Sequence, residues 1–403
     1  MYRREYPDIP GMFDARFREY NRPNLYREFQ ASWLISIVGS IMIIIGCGLL
    51  FWNEGRAVKT SVSLDEGLRD ITVPETLNVV FEENSGKLVL VSGTLRIEDT
   101  LQDPAYAISI NAVKLRRVVQ MYQWYETEDQ LSASLESAEH DSHREKTYSY
   151  SSDWFEYPIE SKSFYNELGH HNPHPEDWPA NSSIQTNSRV KIGNFLLGSS
   201  VKEKFTEFKP FTSGERPRVE GIKIYAGLYY HSANVWQPEI GDYRVQFTYA
   251  GRDGEEFTVV GRQSGREIRP YTTESGEELL ILHPGIRTAA EVFRSEHNTN
   301  RTTTWIYRLA GWFISFLGFS CVANLLEMLI DLNPILRQIL ALGFSPIHFS
   351  ASVTVTLAII GFGWVWYRPL VGLSLVSISL VPYIVPCIRL LMIRRAERSR
   401  YRP

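Results

Sequence analysis

Cysteine is scarce in this 403-residue chain. Only Cys47, Cys321 and Cys387 occur, all in apolar stretches. The long polar middle has none, so its fold cannot rest on disulfides. Nor can it hold a cysteine-ligated zinc or a cysteine nucleophile. Charge of one sign is also lacking. The formal net charge of -4 creates no strong global field toward nucleic acid. No Gly-x-Ser-x-Gly elbow, P-loop or dinucleotide fingerprint appears. The long apolar runs hold almost no ionisable residue, whereas a transport path usually shows buried charges or broken helices.

What is present begins with Trp33 to Trp52, twenty residues without a charge. A helix of that length is about 30 Å long, the thickness of a bilayer's hydrocarbon core. Tryptophans stand at both ends, where indole rings favour the headgroup region. The leader, residues 1–32, carries Arg3, Arg4, Arg16, Arg18, Arg22 and Arg27. It reads as a cytosolic arm before an uncleaved signal anchor, by the positive-inside rule. Ser32, Ser36, Ser40 and Gly48 share one helix face and suggest a helix-packing stripe.

Residues 53–304 form a polar body in which strand signals dominate. Ser63-Leu-Asp-Glu66 has capping-box spacing and predicts a short helix after the membrane exit. Strands are predicted at Lys87 to Thr94, Val118 to Tyr125, Tyr243 to Tyr249 and Leu279 to Leu282. Phe257 to Val260 follows Asp253-Gly254 and is predicted to pair with the preceding strand as a hairpin. Residues 127–190 lack periodicity and suggest a surface excursion. Thr288-Ala-Ala-Glu291 opens a helix leading toward the next span.

Three more spans are predicted at 309–328, 347–367 and 370–392, with an amphipathic cytosolic segment at 329–346. The tail 393–403 is basic. The expected architecture is a multi-pass α-helical membrane protein with four spans, one plus three, and a large β-rich α+β lumenal domain. Both arginine-rich ends lie in the cytosol, and Arg368 must snorkel on the lumenal side.

Candidate chemistry is sparse. His170, His171, His174, Glu176 and Asp177 are metal-type side chains in one stretch, but two prolines break any helix there and no HExxH spacing occurs. No metal, cofactor or catalytic residue is expected. A lumenal enzyme using the His170–Asp177 loop, or a channel or transporter component, is the alternative. Lys114, Arg116 and Arg117 form a basic patch whose functional reading is an anionic headgroup or acidic partner. Asn181-Ser-Ser183 is a glycosylation sequon; Asn300-Arg-Thr302 is another, close to the second span.

Several strings carry a family resemblance. They include Asn53-Glu-Gly-Arg-Ala-Val-Lys-Thr60, Asp103-Pro-Ala-Tyr106, Val113-Lys-Leu-Arg-Arg117 leading to Met121-Tyr-Gln-Trp124, and Tyr148-Ser-Tyr150. Tyr230-His-Ser232, Tyr249-Ala-Gly251, Leu282-His-Pro-Gly285 and Tyr367-Arg-Pro-Leu370 follow in order. Together with the one-plus-three layout, the chain resembles the transmembrane protein 43 (LUMA) family. The resemblance implies a multi-pass, non-enzymatic scaffold of the endoplasmic reticulum and inner nuclear membrane. It implies a role in organising protein complexes and maintaining the nuclear envelope, with emerin-like and lamin-like partners and a homo-oligomer through the spans. The basic ends themselves suit anionic lipid. No nucleic-acid partner is expected.

Overall fold

The structure is a computed structural model describing residues 25–129, 147–174, 176, 178–217, 219–331, 345–365 and 369–400. The chain divides into two compact units, residues 62–296 and residues 1–61 with 297–403.

The 62–296 unit is built on two main sheets. In the first, β1 (Leu88–Ile97), β7 (Val190–Ile192), β8 (Phe195–Leu197), β14 (Glu267–Arg269) and β13 (Glu256–Ser264) follow one another. A further β1–β13 pairing closes these five strands into a ring, and β17 (Ile281–Pro284) adds to β13. Closure removes exposed edges. Val89, Val91, Leu95, Ile192, Phe195, Val259 and Ile268 fill one core, with Val201 of the short helix α2 (Ser199–Glu203). Each such side chain contributes about 1.5–3 kcal/mol on burial.

The second sheet has the order β10 (Lys223–Tyr225), β11 (Leu228–His231), β12 (Tyr243–Arg252), β4 (Ala112–Asp129) and β5 (Thr147–Phe155). β6 (Ser183–Thr186) pairs with β4, and β9 (Lys209–Phe211) with β12. The period of two is plain: Leu115, Val119, Val245 and Phe247 point into a second core with Tyr106 and Tyr229. Two short pairs complete the unit: β2 (Leu101–Asp103) with β3 (Ile108–Ile110), and β15 (Tyr271–Thr272) with β16 (Glu278–Leu279).

β12 and β13 are therefore not the hairpin predicted from Asp253-Gly254. The turn exists, with Glu255 N–H donating to Arg252 O, but other strands capture it. Asp253 N–H bonds Asn111 O and Gly254 N–H bonds Leu95 O. The chain thus leaves one sheet and enters the other.

Helix α1 (Leu25–Asp70) is unbroken, so Ser63-Leu-Asp-Glu66 caps no new helix. The two side chains, three apart, share a face and serve a distant loop. Ser63 Oγ bonds the hydroxyls of Thr273 and Ser275, and the Glu66 carboxylate accepts the N–H of Glu274 at 2.9 Å. Leu64 joins Leu88, Leu90, Val260, Val292 and Phe293 in a third core. At the other end, Thr288 and Glu291 form the capping box the sequence predicts. Thr288 N–H donates to Glu291 Oε2 at 2.9 Å, opening α3 (Ala289–Asp331).

The second unit is helical. It holds most of α1, most of α3, α4 (Ser345–Val365) and α5 (Pro369–Arg400). Among the described residues, Trp33–Asp70 and Ala289–Ala323 are long and apolar enough to cross a membrane; Phe349–Val365 and Pro369–Pro382 are shorter apolar helices. The predicted amphipathic segment lies mostly outside the described residues, as do Tyr367 and Arg368.

α1 and α3 run antiparallel and meet through glycines. A Cβ on Gly39 would lie 2.7 Å from Gly318 O, and one on Gly318 2.6 Å from Gly39 O. Gly46 and Gly311 repeat the arrangement seven residues on, where a Cβ on Gly46 would lie 2.9 Å from Gly311 O. Such spacing brings two backbones into direct contact. α4 and α5 pack likewise through Gly361 and Gly372.

Candidate functional site

A dense polar constellation among the described residues of the helical unit stands at the end of the charge-free run. On α1, Asn53, Glu54 and Arg56 follow Trp52 at once. On α3, Asn300, Thr304 and Arg308 recur every four residues and form one stripe. The two stripes interlock. Asn53 Nδ2 donates to Thr304 O at 3.2 Å, and Asn300 Nδ2 donates to Ala57 O at 2.9 Å. Arg56 donates to Asn53 Oδ1 and Asn300 Oδ1, each at 3.2 Å, and to Thr304 Oγ1 at 3.3 Å.

Glu54 sits at the centre, its side chain 1% exposed. Arg308 meets it fork to fork, Nε to Oε1 and Nη2 to Oε2, both at 2.7 Å. The indole Nε1–H of Trp364 on α4 donates to Oε2, also at 2.7 Å. Gly363 makes room, since a Cβ there would lie 2.9 Å from the Cβ of Glu54. A lone carboxylate buried at such a place is costly; a bidentate guanidinium and an indole donor offset that cost. Three helices are thereby held to one carboxylate.

Aromatic rings surround the cluster. Trp52 meets Tyr307 edge-on at 5.6 Å, Arg56 lies over Tyr307 and Arg308 over Trp305. This is the composition of a membrane–water interface. With both carboxylate oxygens engaged, the geometry describes a helix lock.

The predicted packing stripe is rotated from the observed contact. Ser36 is buried, but Ser40 and Gly48 are exposed, and nothing approaches Gly48 within 4 Å. The face turned to α3 is instead Gly39, Ile43, Gly46 and Leu50. The side chain of Ser32 lies outside the described residues.

The three basic residues of β4 do not form a free patch. Lys114 Nζ donates to Glu203 O, and Arg116 donates to Thr248 Oγ1 and stacks on Phe208. Arg117 pairs with the buried Asp103 at 2.8 Å and donates to Asn181 O. Asn181 itself is exposed just ahead of β6, while the amide of Asn300 is taken up in the helix lock.

In the His170–Asp177 loop, the imidazoles go to different partners. His170 stacks on Tyr150 at 4.0 Å, and His171 faces Glu167 at 3.4 Å. A cavity of about 360 Å³ is lined by Glu160, Lys162, Glu167, His171 and His174. Among the described residues, no group of three His, Cys, Asp or Glu side chains could hold a metal; Asp177 lies outside them. Deeper in the sheet, His231 stacks on Tyr243 at 4.0 Å, with Nε2 3.1 Å from the Tyr106 hydroxyl. Burial pushes the His231 pKa down and that of Tyr106 up.

Long apolar helices joined to a large β-rich unit define the class: a membrane protein with two candidate spans and a large β-rich domain. The profile of the family described as transmembrane protein 43 matches residues 121–369. The human transmembrane protein 43 is 39% identical over 359 residues, which cover 86% of this chain and 88% of that protein. The Drosophila melanogaster homolog is 36% identical over 375 residues, 90% of this chain and 96% of its own length. That of Pongo abelii is 38% identical over 376 residues, covering 91% and 92%. The chain belongs to the transmembrane protein 43 family. No solved structure matches it.

Sequence reading noted Asn53-Glu-Gly-Arg56 but missed its role. The available signals were a carboxylate directly after a charge-free span and an arginine directly before the next one.

Proposed function

We propose that this protein is a four-span, non-enzymatic membrane scaffold of the endoplasmic reticulum and inner nuclear membrane. It organises protein complexes and helps maintain the nuclear envelope. Both termini face the cytosol or nucleoplasm, and the β-rich unit faces the lumen. The carrying observation is the Glu54–Arg308–Trp364 lock, which ties α1, α3 and α4 at one level. Phe349, fourteen residues before Gly363 on α4, packs against Trp312 and Phe316 of α3. α4 thus runs along the same apolar layer as α3, and α5 lies antiparallel to α4 through Gly361 and Gly372. These contacts support the third and fourth spans. A fixed helix bundle carried in one chain with a folded β-rich unit and basic ends suits a scaffold. The basic ends hold anionic lipid at about 1 kcal/mol per residue near the surface. Emerin-like and lamin-like proteins are the proposed partners, and copies associate through the spans.

Proximity labelling from the C-terminal tail in intact cells tests this reading. Nuclear-envelope and lamina proteins among the strongest neighbours are expected. A set dominated by reticulum enzymes or transport machinery would overturn it and direct attention to the cavity beside His171.

A further inference from the structure

The strand β5, TYSYSSDWF, ends the second sheet. It pairs with β4 over all nine residues, Thr147 opposite Asp129 through Phe155 opposite Met121. Among the described residues no backbone partner lies on its other side. The N–H of Trp154 is taken by the carboxylate of its own neighbour Asp153, at 2.7 Å. That bond places the backbone groups of Trp154 on the side away from β4. By alternation, residues 148, 150, 152 and 154 turn their N–H and C=O outward. Exposed edges are normally blunted by lysine, proline, a bulge or short length. β5 has no lysine, no proline, an uninterrupted register and a single charge, Asp153.

We propose that this edge is an interface with the β5 edge of a second copy, joining two sheets antiparallel about a two-fold axis at Ser151. That register pairs all nine residues with their counterparts. Tyr148 stands opposite Trp154, Tyr150 opposite Ser152, and Ser149 opposite Asp153. The outward-turned residues 148, 150, 152 and 154 then meet only one another, as the ladder requires, with the Trp154 N–H exchanging the Asp153 carboxylate for the Tyr148 carbonyl of the second copy. Aromatic side chains face each other across the junction, and no like charges are opposed. The face of β5 is held for this use: Tyr165 stacks on Tyr148 at 4.5 Å and His170 on Tyr150. This adds a contact in the β-rich unit to the assembly proposed above, and its test reads the edge rather than the neighbours of the tail.

Cysteines introduced one at a time into the full-length protein, beside its native Cys47, Cys321 and Cys387, and oxidised mildly in native membranes, test the register. Ser151→Cys puts two sulfurs across the axis in a non-hydrogen-bonded pair about 4.5 Å apart at Cα, within disulfide reach. Asp153→Cys leaves its two copies about 14 Å apart, since each faces residue 149 of the other strand. The expected result is about tenfold more interchain dimer for Ser151→Cys than for Asp153→Cys or the unsubstituted chain, given the reach of a disulfide. Co-expressing Ser149→Cys and Asp153→Cys chains restores the cross-link. Equal yields at 151 and 153, or none at either, overturn the proposal. The second result would be expected if residues 130–146 of the same chain occupied the edge. Ser151 and Asp153 are both exposed.

Discussion

Glu54 and Arg308 lie 254 residues apart and meet with two parallel hydrogen bonds of 2.7 Å. Each leaves the other a buried, unpaired charge if removed. Arg308→Ala or Glu54→Ala should cost about 3–5 kcal/mol, the usual penalty for breaking a buried pair. Thermal unfolding of the full-length protein in detergent measures it. The double substitution should cost clearly less than the sum. Strict additivity would show that the pair does not act as a unit.

The glycine contact predicts a sharp contrast on one helix. A Cβ on Gly46 would run into Ser315 Oγ and lie 2.9 Å from Gly311 O, whereas Gly48 has nothing within 4 Å. Gly46→Ala should lower stability by about 1–3 kcal/mol through overpacking. Gly48→Ala should be neutral or slightly stabilising by helix propensity. Equal effects would place the contact elsewhere.

His231 sets a pH dependence with a definite sign. Burial lowers its pKa below the unfolded value of about 6.5. The unfolded chain then binds the extra proton first. The contribution is full above pH of about 6.5 and fades as the pH falls below it. Melting temperatures at pH 7.5 and 5.5 should differ more for the unsubstituted protein than for His231→Gln. Parallel pH profiles would contradict the assignment.

Glycosylation reports the orientation of the β-rich unit. Asn181 is exposed, while the amide of Asn300 bonds Arg56 and Ala57. In a lumenal unit, Asn181→Gln should abolish a glycosidase-sensitive mass shift and Asn300→Gln should leave it. A shift lost only with Asn300→Gln would show that the helix lock opens.

Local signals were legible and long-range ones were not. The capping box at Thr288 and Glu291 was readable because both partners sit in one turn. Ser63 and Glu66 have the same spacing, yet their partners lie 210 and 208 residues away. Sequence cannot tell a cap from a distant contact when the helix simply continues. The strands at 88–97 and 243–252 were visible from β-branched and aromatic runs, but β12–β13 pairing was inferred from a turn that two other strands capture. In the first span, composition gave the length but not the rotation. Serines marked one face, and the contact chose the glycine face beside it.

The lock also sets a schedule. A ribosome adding about 5–20 residues per second needs roughly 10–50 s to go from Glu54 to Arg308. Through that interval the first helix is in the bilayer without its guanidinium, its indole or the glycine face of α3. In the orientation proposed above, the β-rich unit between them crosses and begins folding meanwhile. Each nascent chain therefore passes through a stage in which a finished membrane helix still presents an open carboxylate, and the closing of the bundle marks the completion of the domain between.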